Sequence, residues 1–270
     1  MSTNEQASQP KEVWASGAAY EAYMGRWSRL VAREFLAWLE VPPGSRWLDV
    51  GSGTGALSRT ILELAAPGEV NGIDSSAGYV AHAQEQIGDE RVHFEAGDAQ
   101  ALPVETGSYD AVVSGLMLNF VPQPQQAVAE MARAARPGGL VAVYVWDYAG
   151  GMEFTRHFRN AAAALDPAAG ALDQGQRFPI CRPEPLAELF RAANLQHVET
   201  RPINIPTEFA NFEDYWTPFL GGQGAAPGYL MSLDEEQREA LRERIRSGLP
   251  FAPDGSIPLI ARAWAVRGTR

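Results

Sequence analysis

The residues best suited to bind a ligand form a short apolar strand that runs through Asp49 into a turn with glycines at Gly51, Gly53 and Gly55. Glycine lets the backbone approach a ligand closely and adopt positive φ. A helical pattern follows the turn, so the first N–H groups of that helix point back at the turn. This combination indicates a nucleotide-binding loop.

Two further carboxylates follow at regular spacing. Asp74 and Asp98 each close another short apolar segment, and the intervals from Asp49 to Asp74 and from Asp74 to Asp98 each correspond to one strand and one helix. In a doubly wound sheet, ligands bind at the carboxyl ends of the strands. The three carboxylates are therefore expected to line one crevice.

Two cofactors remain compatible with the loop. Residues 51–56 also satisfy the dinucleotide fingerprint G-x-G-x-x-G/A, and Asp74 lies near the distance expected for a ribose-binding acid. One is a dinucleotide, and the other is S-adenosylmethionine. Asp49 favours S-adenosylmethionine, because a carboxylate beside a pyrophosphate is unfavourable whereas a carboxylate beside an ammonium group is favourable. S-Adenosylmethionine carries an ammonium group, a ribose diol and an adenine amine, and it has no phosphate.

The chain resembles the class I S-adenosylmethionine-dependent methyltransferases, in particular the type 11, quinone-methyltransferase-like group. The resemblance covers most of the chain and implies a Rossmann-like α/β fold, a doubly wound, seven-stranded, mostly parallel sheet with an antiparallel edge strand. It also implies a set of cofactor-binding residues: Tyr23, Arg26, Asp49, Gly51, Ser52, Gly53, Asp74, Ser75, Asp98, Ala99, Ser114 and Leu116.

The resemblance assigns a role to each part of this set. The glycine backbone would pack against the methionine part of the cofactor, and Asp49 would order the glycine loop and the ligand amine. Asp74 would accept from both ribose hydroxyls, with Ser75 beside it. The Asp98 carboxylate would accept from the adenine amine, and the backbone at Ala99 would meet the ring.

Two other segments are expected near the reacting methyl group and the cofactor carboxylate. Residues 109–116 resemble the fourth strand, whose end near Ser114 and Leu116 would lie beneath the transferable methyl. Tyr23 and Arg26 could fold over the cofactor's carboxylate, which needs a charge-assisted donor. They could equally pack the N-terminal helix onto the domain.

Periodicity and turn residues predict the elements that position these groups. Helices are predicted over 28–40, 123–135 and 185–193, and strands over 140–146, 197–205 and 257–266. The strand over 197–205 is predicted to be an outer strand, and that over 257–266 to be the antiparallel edge.

A single methyltransferase domain is predicted over 15–270, after a disordered tail over 1–14 that lacks the features of a signal peptide. A helical lid is predicted over 18–40, and substrate-lid insertions over 149–182 and 209–250. The insertions contain aromatic side chains that are costly to expose, so these side chains either form an apolar lid or cover the sheet.

Composition narrows the function classes. The net charge of −11, without a basic cluster, argues against a nucleic-acid substrate. The longest apolar run, over 140–146, is too short to span a bilayer. Cys181 stands alone and the four histidines lack metal-ligand spacing, so we expect no disulfide within the chain and no metal. A cytoplasmic enzyme acting on a small molecule is expected.

The preferred hypothesis is in-line methyl transfer from S-adenosylmethionine to a small-molecule acceptor. An NAD(P)-dependent oxidoreductase and a non-catalytic S-adenosylmethionine-binding protein are the alternatives. Asp147, Tyr148 and His157 are candidate bases. The preferred interpretations are that Asp147 is a turn residue, Tyr148 part of a pocket wall and His157 a solvent-facing helix residue, so no catalytic residue is assigned. Residues 115–121 lack the Asn-Phe-Gly-Leu-Arg run associated with quinone methyltransferases, which leaves the acceptor open.

Overall fold

The computed structural model describes residues 21–221 and 224–270. The predicted tail over 1–14 and the first residues of the predicted lid, 18–20, lie outside the described residues. Within them, one seven-stranded sheet has the order β3-β2-β1-β4-β5-β7-β6. The strands are β1 (Arg46–Val50), β2 (Glu69–Asp74), β3 (Val92–Ala96), β4 (Tyr109–Gly115), β5 (Ala135–Trp146), β6 (Gln196–Phe209) and β7 (Ile257–Thr269).

The first five strands form the parallel part of the sheet. β1 pairs in parallel with β2 on one side and with β4 on the other, so the strand order reverses at β1. In sheets of this kind, a crevice opens at the carboxyl ends of the strands beside the reversal. The predicted doubly wound, mostly parallel α/β sheet is confirmed.

The predicted antiparallel edge is confirmed, but the outermost strand is β6 and not β7. β7 pairs antiparallel with both β5 and β6, which places it second from the end and leaves β6 outermost. Three alanines of β7, at 261, 263 and 265, are fully buried, whereas the first half of β6 is largely exposed. The alternation over 257–266 identified a strand but carried no information on its neighbours, because an inner and an edge strand can share the same pattern.

Helices connect the strands and form the insertions. In chain order they are α1 (Arg26–Leu39), α2 (Ala56–Leu64), α3 (Ala77–Gln86), α4 (Pro124–Ala134), α5 (Glu153–Leu165), α6 (Gln174–Arg177), α7 (Pro183–Ala192), α8 (Phe212–Trp216), α9 (Ala225–Ser232) and α10 (Glu235–Gly248). In the part of the chain that the structure describes, no helix combines the length and the apolar character needed to cross a membrane.

The aromatic residues of the two insertions pack on one another. The rings of Phe158 and Phe219 stack with centroids 4.7 Å apart. The Tyr215 hydroxyl donates to the carbonyl oxygen of Phe154 at 2.6 Å. These four side chains are each at most 2% exposed, and none of them lines the ligand cleft described below. The structure therefore favours a packed layer of core over an apolar lid.

Candidate cofactor and acceptor cleft

A cleft lies at the carboxyl ends of the parallel strands. Its main chamber has a volume of about 320 Å³, and a side chamber of about 140 Å³ adjoins it. The two chambers share Gly51, Asp74, Ser75, Met117 and Phe120 in their lining, so they form one continuous cleft. A cleft of this size, next to the strand reversal, is where an α/β sheet of this order binds ligands.

The glycine turn forms the floor of the main chamber. The N–H groups of Gly51 and Ser52 both donate to the carbonyl oxygen of Ile73, at 2.7 and 3.0 Å. Gly51 and Gly53 have φ values of +74° and +55°. A Cβ atom built on Gly53 would have no heavy-atom neighbour within 4 Å. The turn is therefore hydrogen-bonded to β2, and it leaves open space at Gly53 where a side chain would otherwise lie.

The Asp74 carboxylate joins the glycine turn to the start of α3. Its Oδ2 accepts from the N–H of Gly53 at 2.9 Å, and its Oδ1 accepts from the N–H of Ser76 at 2.8 Å. A carboxylate oxygen can accept more than one hydrogen bond, so both oxygens can still accept from a ligand diol. Asp74 and Ser75 line both chambers, as a ribose-binding pair would require.

Asp49 lies behind the turn and does not line either chamber. The side chain is fully buried, the Ser58 hydroxyl donates to its Oδ2 at 2.7 Å, and its Oδ1 has no hydrogen-bond partner among the described residues. Burial, together with the smaller effect of the Asp74 charge, raises the pKa of Asp49 to about 7, against the hydrogen bond from Ser58. A nearby cation would reverse this shift by favouring the ionised form.

Two other polar groups of the main chamber lack partners. The Ser52 hydroxyl and the Tyr79 hydroxyl are buried without a hydrogen bond within the described ranges, and both residues line the chamber. Burial, followed by the charge of Asp74, raises the pKa of Tyr79 to about 12, so this phenol is a donor and not a base. Buried groups without partners are costly, so their presence here fits a site built for a polar ligand.

The side chamber contains the third predicted carboxylate. Asp98 and Ala99 line it together with Gln100. Asp98 is exposed, and its Oδ1 accepts from the Gln100 N–H at 2.9 Å. The structure thus brings Asp74 and Asp98 to adjoining chambers of one cleft, as their spacing predicted, whereas the prediction that Asp49 lines the same crevice is wrong, because Asp49 is buried behind the turn.

The end of β4 contributes one of its two predicted residues. Leu116 lines the main chamber with a φ of +63°, held by its N–H, which donates to the carbonyl oxygen of Tyr144 at 2.8 Å. A non-glycine residue in this conformation is strained, and such strain often occurs at functional sites. Ser114 is fully buried and does not reach the lining, where Gly115 stands instead.

Arg26 does not lie in the cleft. Its Nη1 donates to the Asp214 Oδ1 at 2.8 Å. Its guanidinium lies 4.4 and 4.7 Å from the ring centroids of Trp27 and Phe209. The expectation that Arg26 folds over the cofactor's carboxylate is not met by this arrangement, because Asp214 and two aromatic faces already hold the guanidinium.

Tyr23 is also outside the cleft lining. Its ring packs edge-on against Phe154 and Phe219, with centroids 5.8 and 5.4 Å apart. From the same segment, Met24 and Ser28 line the main chamber instead. The N-terminal segment therefore does contribute to the cleft, but through the residues that the sequence reasoning did not select.

An aromatic wall, which we define as Tyr144, Trp146 and Tyr148, closes the main chamber on the side of β5. Tyr144 and Trp146 were not among the residues predicted from the sequence. The signal was present, because side chains two residues apart on a strand point to the same face and the strand ends at the cleft. Tyr148 was considered as a base or a wall, and the structure places it in the wall. Its ring lies 5.7 Å from that of Phe178.

The other two candidate bases do not line either chamber. Asp147 is buried and accepts from Arg262 Nε at 2.7 Å and from the Gly150 N–H at 3.0 Å. His157 is half-buried on α5, where burial lowers its pKa. Among the described residues, no group of three or more His, Cys, Asp or Glu side chains could hold a metal ion.

Comparison with curated proteins identifies methyltransferases. A model of a methyltransferase domain matches residues 48–143. The chain is 33% identical over 172 residues to an uncharacterized 37.1 kDa protein in a transposon of Streptomyces fradiae, a match that covers 57% of this chain and about half, 49%, of that protein. It is 36% identical over 172 residues to a ubiquinone biosynthesis O-methyltransferase of Burkholderia thailandensis, covering 60% of this chain and 68% of that enzyme.

Comparison with solved structures supports the fold. A putative methyltransferase from an antibiotic biosynthesis pathway of Anabaena variabilis matches with a TM-score of 0.62 at 17% identity, covering 90% of this chain and 99% of that one. Phosphoethanolamine N-methyltransferase 2 of Haemonchus contortus, solved in complex with S-adenosyl-L-methionine, matches with a TM-score of 0.59 at 18% identity. The match covers 94% of this chain and 56% of that one.

Proposed function

The chain belongs to the family of S-adenosylmethionine-dependent methyltransferases, and from this premise we propose that it transfers the cofactor's methyl group to a small-molecule acceptor. The observation that carries the proposal is the continuity of the cleft. The glycine turn and the Asp74 carboxylate form one end of the cleft, and the aromatic wall forms the other. The net charge of −11 further supports a small molecule over a nucleic acid.

The residues present fit S-adenosylmethionine. We propose that Asp74 accepts from the ribose hydroxyls, and that Asp98 and Ala99 hold the adenine in the side chamber. The backbone of Gly51, Ser52 and Gly53, which line the main chamber, would hold the methionine part. The Oδ1 atom of the buried Asp49 has no hydrogen-bond partner within the described part of the chain, which supports a role in balancing the cofactor's ammonium group.

When bound, S-adenosylmethionine supplies a sulfonium-activated methyl group. In our proposal the chain contributes position and the exclusion of water. The strained backbone at Leu116 and the aromatic wall enclose the space next to the glycine turn. An acceptor placed in that space would lie against the cofactor. A dry chamber favours transfer because the sulfonium charge is lost as the methyl group moves.

Isothermal titration calorimetry followed by a transfer assay tests this function. We expect binding of S-adenosylmethionine and S-adenosylhomocysteine, and no binding of NAD or NADP. Radiolabelled methyl groups should then enter the small-molecule fraction of a cell extract, and not its protein or RNA fraction. Binding of NAD would favour the oxidoreductase, label in protein or RNA would contradict a small-molecule acceptor, and cofactor binding without any transfer would favour the non-catalytic alternative.

The Gly53→Ala substitution should separate cofactor binding from stability. Gly53 and Gly138 both have positive φ, at +55° and +76°, and a Cβ atom on either would meet nothing within 4 Å. Alanine at such a φ costs about 1–2 kcal/mol of folding free energy. We expect both variants to lose similar stability in thermal unfolding, but only Gly53→Ala to lose affinity for S-adenosylmethionine in calorimetry, because only Gly53 lines the cleft. Equal affinities would remove Gly53 from the cofactor site.

The segment from Tyr23 to Ser28 should be protected before cofactor binds. Tyr23, Met24 and Trp27 are each at most 7% exposed, so the segment is already anchored by packing. Amide hydrogen exchange near Gly25 is therefore expected to be equally slow with and without saturating S-adenosylmethionine. A rise in protection on cofactor addition, together with weaker binding by Arg26→Ala, would instead support the predicted closing role.

A further inference from the structure

We propose that the Tyr144 hydroxyl is a catalytic group of this cleft, and that its oxygen accepts weak C–H···O hydrogen bonds from the methyl group that is transferred. The inference rests on the proposed function and deepens it, because it assigns one side chain to the reacting atoms. Three features carry it: the position of β4 in the sheet, the place of the Tyr144 oxygen at the end of that strand, and the packing that holds the oxygen there.

The end of β4 lies between the two proposed ends of the cleft. β4 pairs with β1, which leads into the glycine turn, and with β5, which carries the aromatic wall. Gly115 and Leu116, at the end of β4, both line the main chamber. A methyl group that moves from a cofactor on the glycine turn to an acceptor at the aromatic wall therefore passes the end of β4.

The Tyr144 oxygen lies against this end of β4. Tyr144 is the partner of Gly115 in the register of β4 and β5, and it lines the same chamber. A Cβ atom built on Gly115 would lie 2.5 Å from the Tyr144 hydroxyl oxygen and 2.7 Å from its Cζ. The phenol thus occupies the space that any side chain at position 115 would need, which accounts for glycine at this position.

Packing holds the phenol in this place. Tyr144 is only 2% exposed, and the centroid of its ring lies 4.7 Å from that of the fully buried Phe35 on α1. Close packing of this kind disfavours other rotamers of the tyrosine. The oxygen is therefore preorganised, which is the condition under which a polar group contributes most to a transition state.

The main chain of Tyr144 fixes the neighbouring residue as well. The N–H of Leu116 donates to the Tyr144 carbonyl oxygen at 2.8 Å, and Leu116 has a φ of +63°. Strain of this kind persists only where the surrounding structure imposes it, and it is frequent at sites that position reacting groups. Tyr144 therefore determines both the polar group and the backbone conformation at the end of β4.

A phenol oxygen suits the methyl group of a sulfonium. The positive charge polarises the C–H bonds, so an oxygen lone pair attracts them, and the phenol can donate its own hydrogen elsewhere at the same time. Tyr144 would hold the methyl carbon in line with the acceptor and keep its own proton throughout. The electron pair of the acceptor forms the new bond to carbon, and the electron pair of the broken carbon–sulfur bond remains on sulfur.

Tyr144→Phe tests the role of the oxygen by comparing two ligands. Phenylalanine keeps the ring and any attraction between that ring and the sulfonium charge. S-Adenosylhomocysteine lacks the methyl group, so its affinity should not change. We expect calorimetry to show a loss of affinity for S-adenosylmethionine of about two- to fivefold, the range that one weak hydrogen bond of this type can supply.

Nuclear magnetic resonance of the bound cofactor gives a direct signature. An oxygen that accepts from a C–H group deshields its hydrogen. With S-adenosylmethionine labelled with carbon-13 in the methyl group, we expect the methyl proton resonance to move downfield on binding to the wild-type protein. The shift should be smaller in Tyr144→Phe, where the ring and its magnetic effect remain.

Tyr109→Phe is the matched control. Tyr109 is a buried tyrosine at the other end of β4, its hydroxyl oxygen accepts from Asn71 Nδ2 at 2.8 Å, and it lines neither chamber. Both the affinity ratio of the two ligands and the methyl shift should be unchanged in this variant. Gly115→Ala moves the phenol without removing its oxygen. It should also lower the preference for S-adenosylmethionine, and combining it with Tyr144→Phe should lower that preference no further.

The outcomes separate this inference from the proposed function. Failure of the wild-type protein to bind S-adenosylmethionine and S-adenosylhomocysteine contradicts the proposed function itself. If both bind, an unchanged affinity ratio or an unchanged methyl shift in Tyr144→Phe overturns the role of Tyr144 only. Binding of S-adenosylhomocysteine reports folding of each variant. If Tyr144→Phe does not fold, the wild-type methyl shift decides, and a resonance that does not move downfield overturns the inference.

Discussion

Asp74→Ala is expected to weaken binding of S-adenosylmethionine at least tenfold. The substitution removes the acceptor proposed for the two ribose hydroxyls, and hydrogen bonds to a charged group contribute roughly 1.5 to 3 kcal/mol each before water compensates. One such loss already corresponds to about a tenfold change or more in the dissociation constant. The N–H groups of Gly53 and Ser76 also lose their partner, which loosens the glycine turn.

Asp89→Ala is the matched control for this measurement. Asp89 also accepts a backbone N–H, from Arg91 at 3.0 Å, but it lines neither chamber. Calorimetry of the two variants should show a loss of affinity for Asp74→Ala only. An Asp74→Ala variant that binds the cofactor nearly normally would contradict the assignment of Asp74 to the ribose.

Asp49 is expected to release a proton when the cofactor binds below about pH 7. In the free protein, burial holds the pKa of Asp49 at about 7, so the carboxyl is largely protonated below that pH. The cofactor's ammonium group favours the ionised form and lowers that pKa. Calorimetry in buffers of different ionisation enthalpy measures the proton release, which should disappear in Asp49→Asn together with part of the affinity. Equal proton release from both proteins would show that Asp49 does not face the ammonium group.

The same carboxyl should reduce the stability of the cofactor-free protein near neutral pH. Between pH 3.8, the ordinary pKa of an aspartate, and about pH 7, the folded protein retains a proton on Asp49 that the unfolded chain has released. Fewer protons are then bound in the unfolded state, so the free energy of unfolding falls as pH rises through this window. Thermal unfolding against pH should show a smaller decline for Asp49→Asn, provided that asparagine keeps the hydrogen bond from Ser58.

The end of the cleft that we propose for the cofactor could be located from the sequence, because its residues follow their strands directly. Asp74 ends β2, Gly51 follows β1, and Asp98 lies two residues beyond β3, so strand–helix spacing alone brings them to one edge. The position of these residues at the edge of the sheet is determined by the path of the backbone and not by contacts between side chains. The sequence also predicted that Leu116 lies at the end of β4, but it did not predict the positive φ of this residue. That φ depends on the hydrogen bond from the Leu116 N–H to the carbonyl oxygen of Tyr144 in the neighbouring strand.

The surroundings of the cleft were less predictable, because they depend on contacts between distant segments. Arg26 pairs with Asp214, and nothing in the local sequence around residue 26 indicates that partner. The sequence predicted that the Arg26 guanidinium binds the cofactor's carboxylate, but in the structure it pairs with the carboxylate of Asp214 in α8. Similarly, Tyr144 and Trp146 read as core residues of a buried strand until their position at the end of β5 is known.

The position of β7 also determines the order in which the sheet can be completed. Among the described strands, β6 has only β7 as a neighbour, and β7 also covers the outer edge of β5. During synthesis, both edges therefore remain unpaired until residues 257–269 have left the ribosome, whereas the strands around the cofactor end can already pair. Unpaired edges promote association between chains, so a chain interrupted before β7 should aggregate even though its first four strands and the segments that follow them are intact.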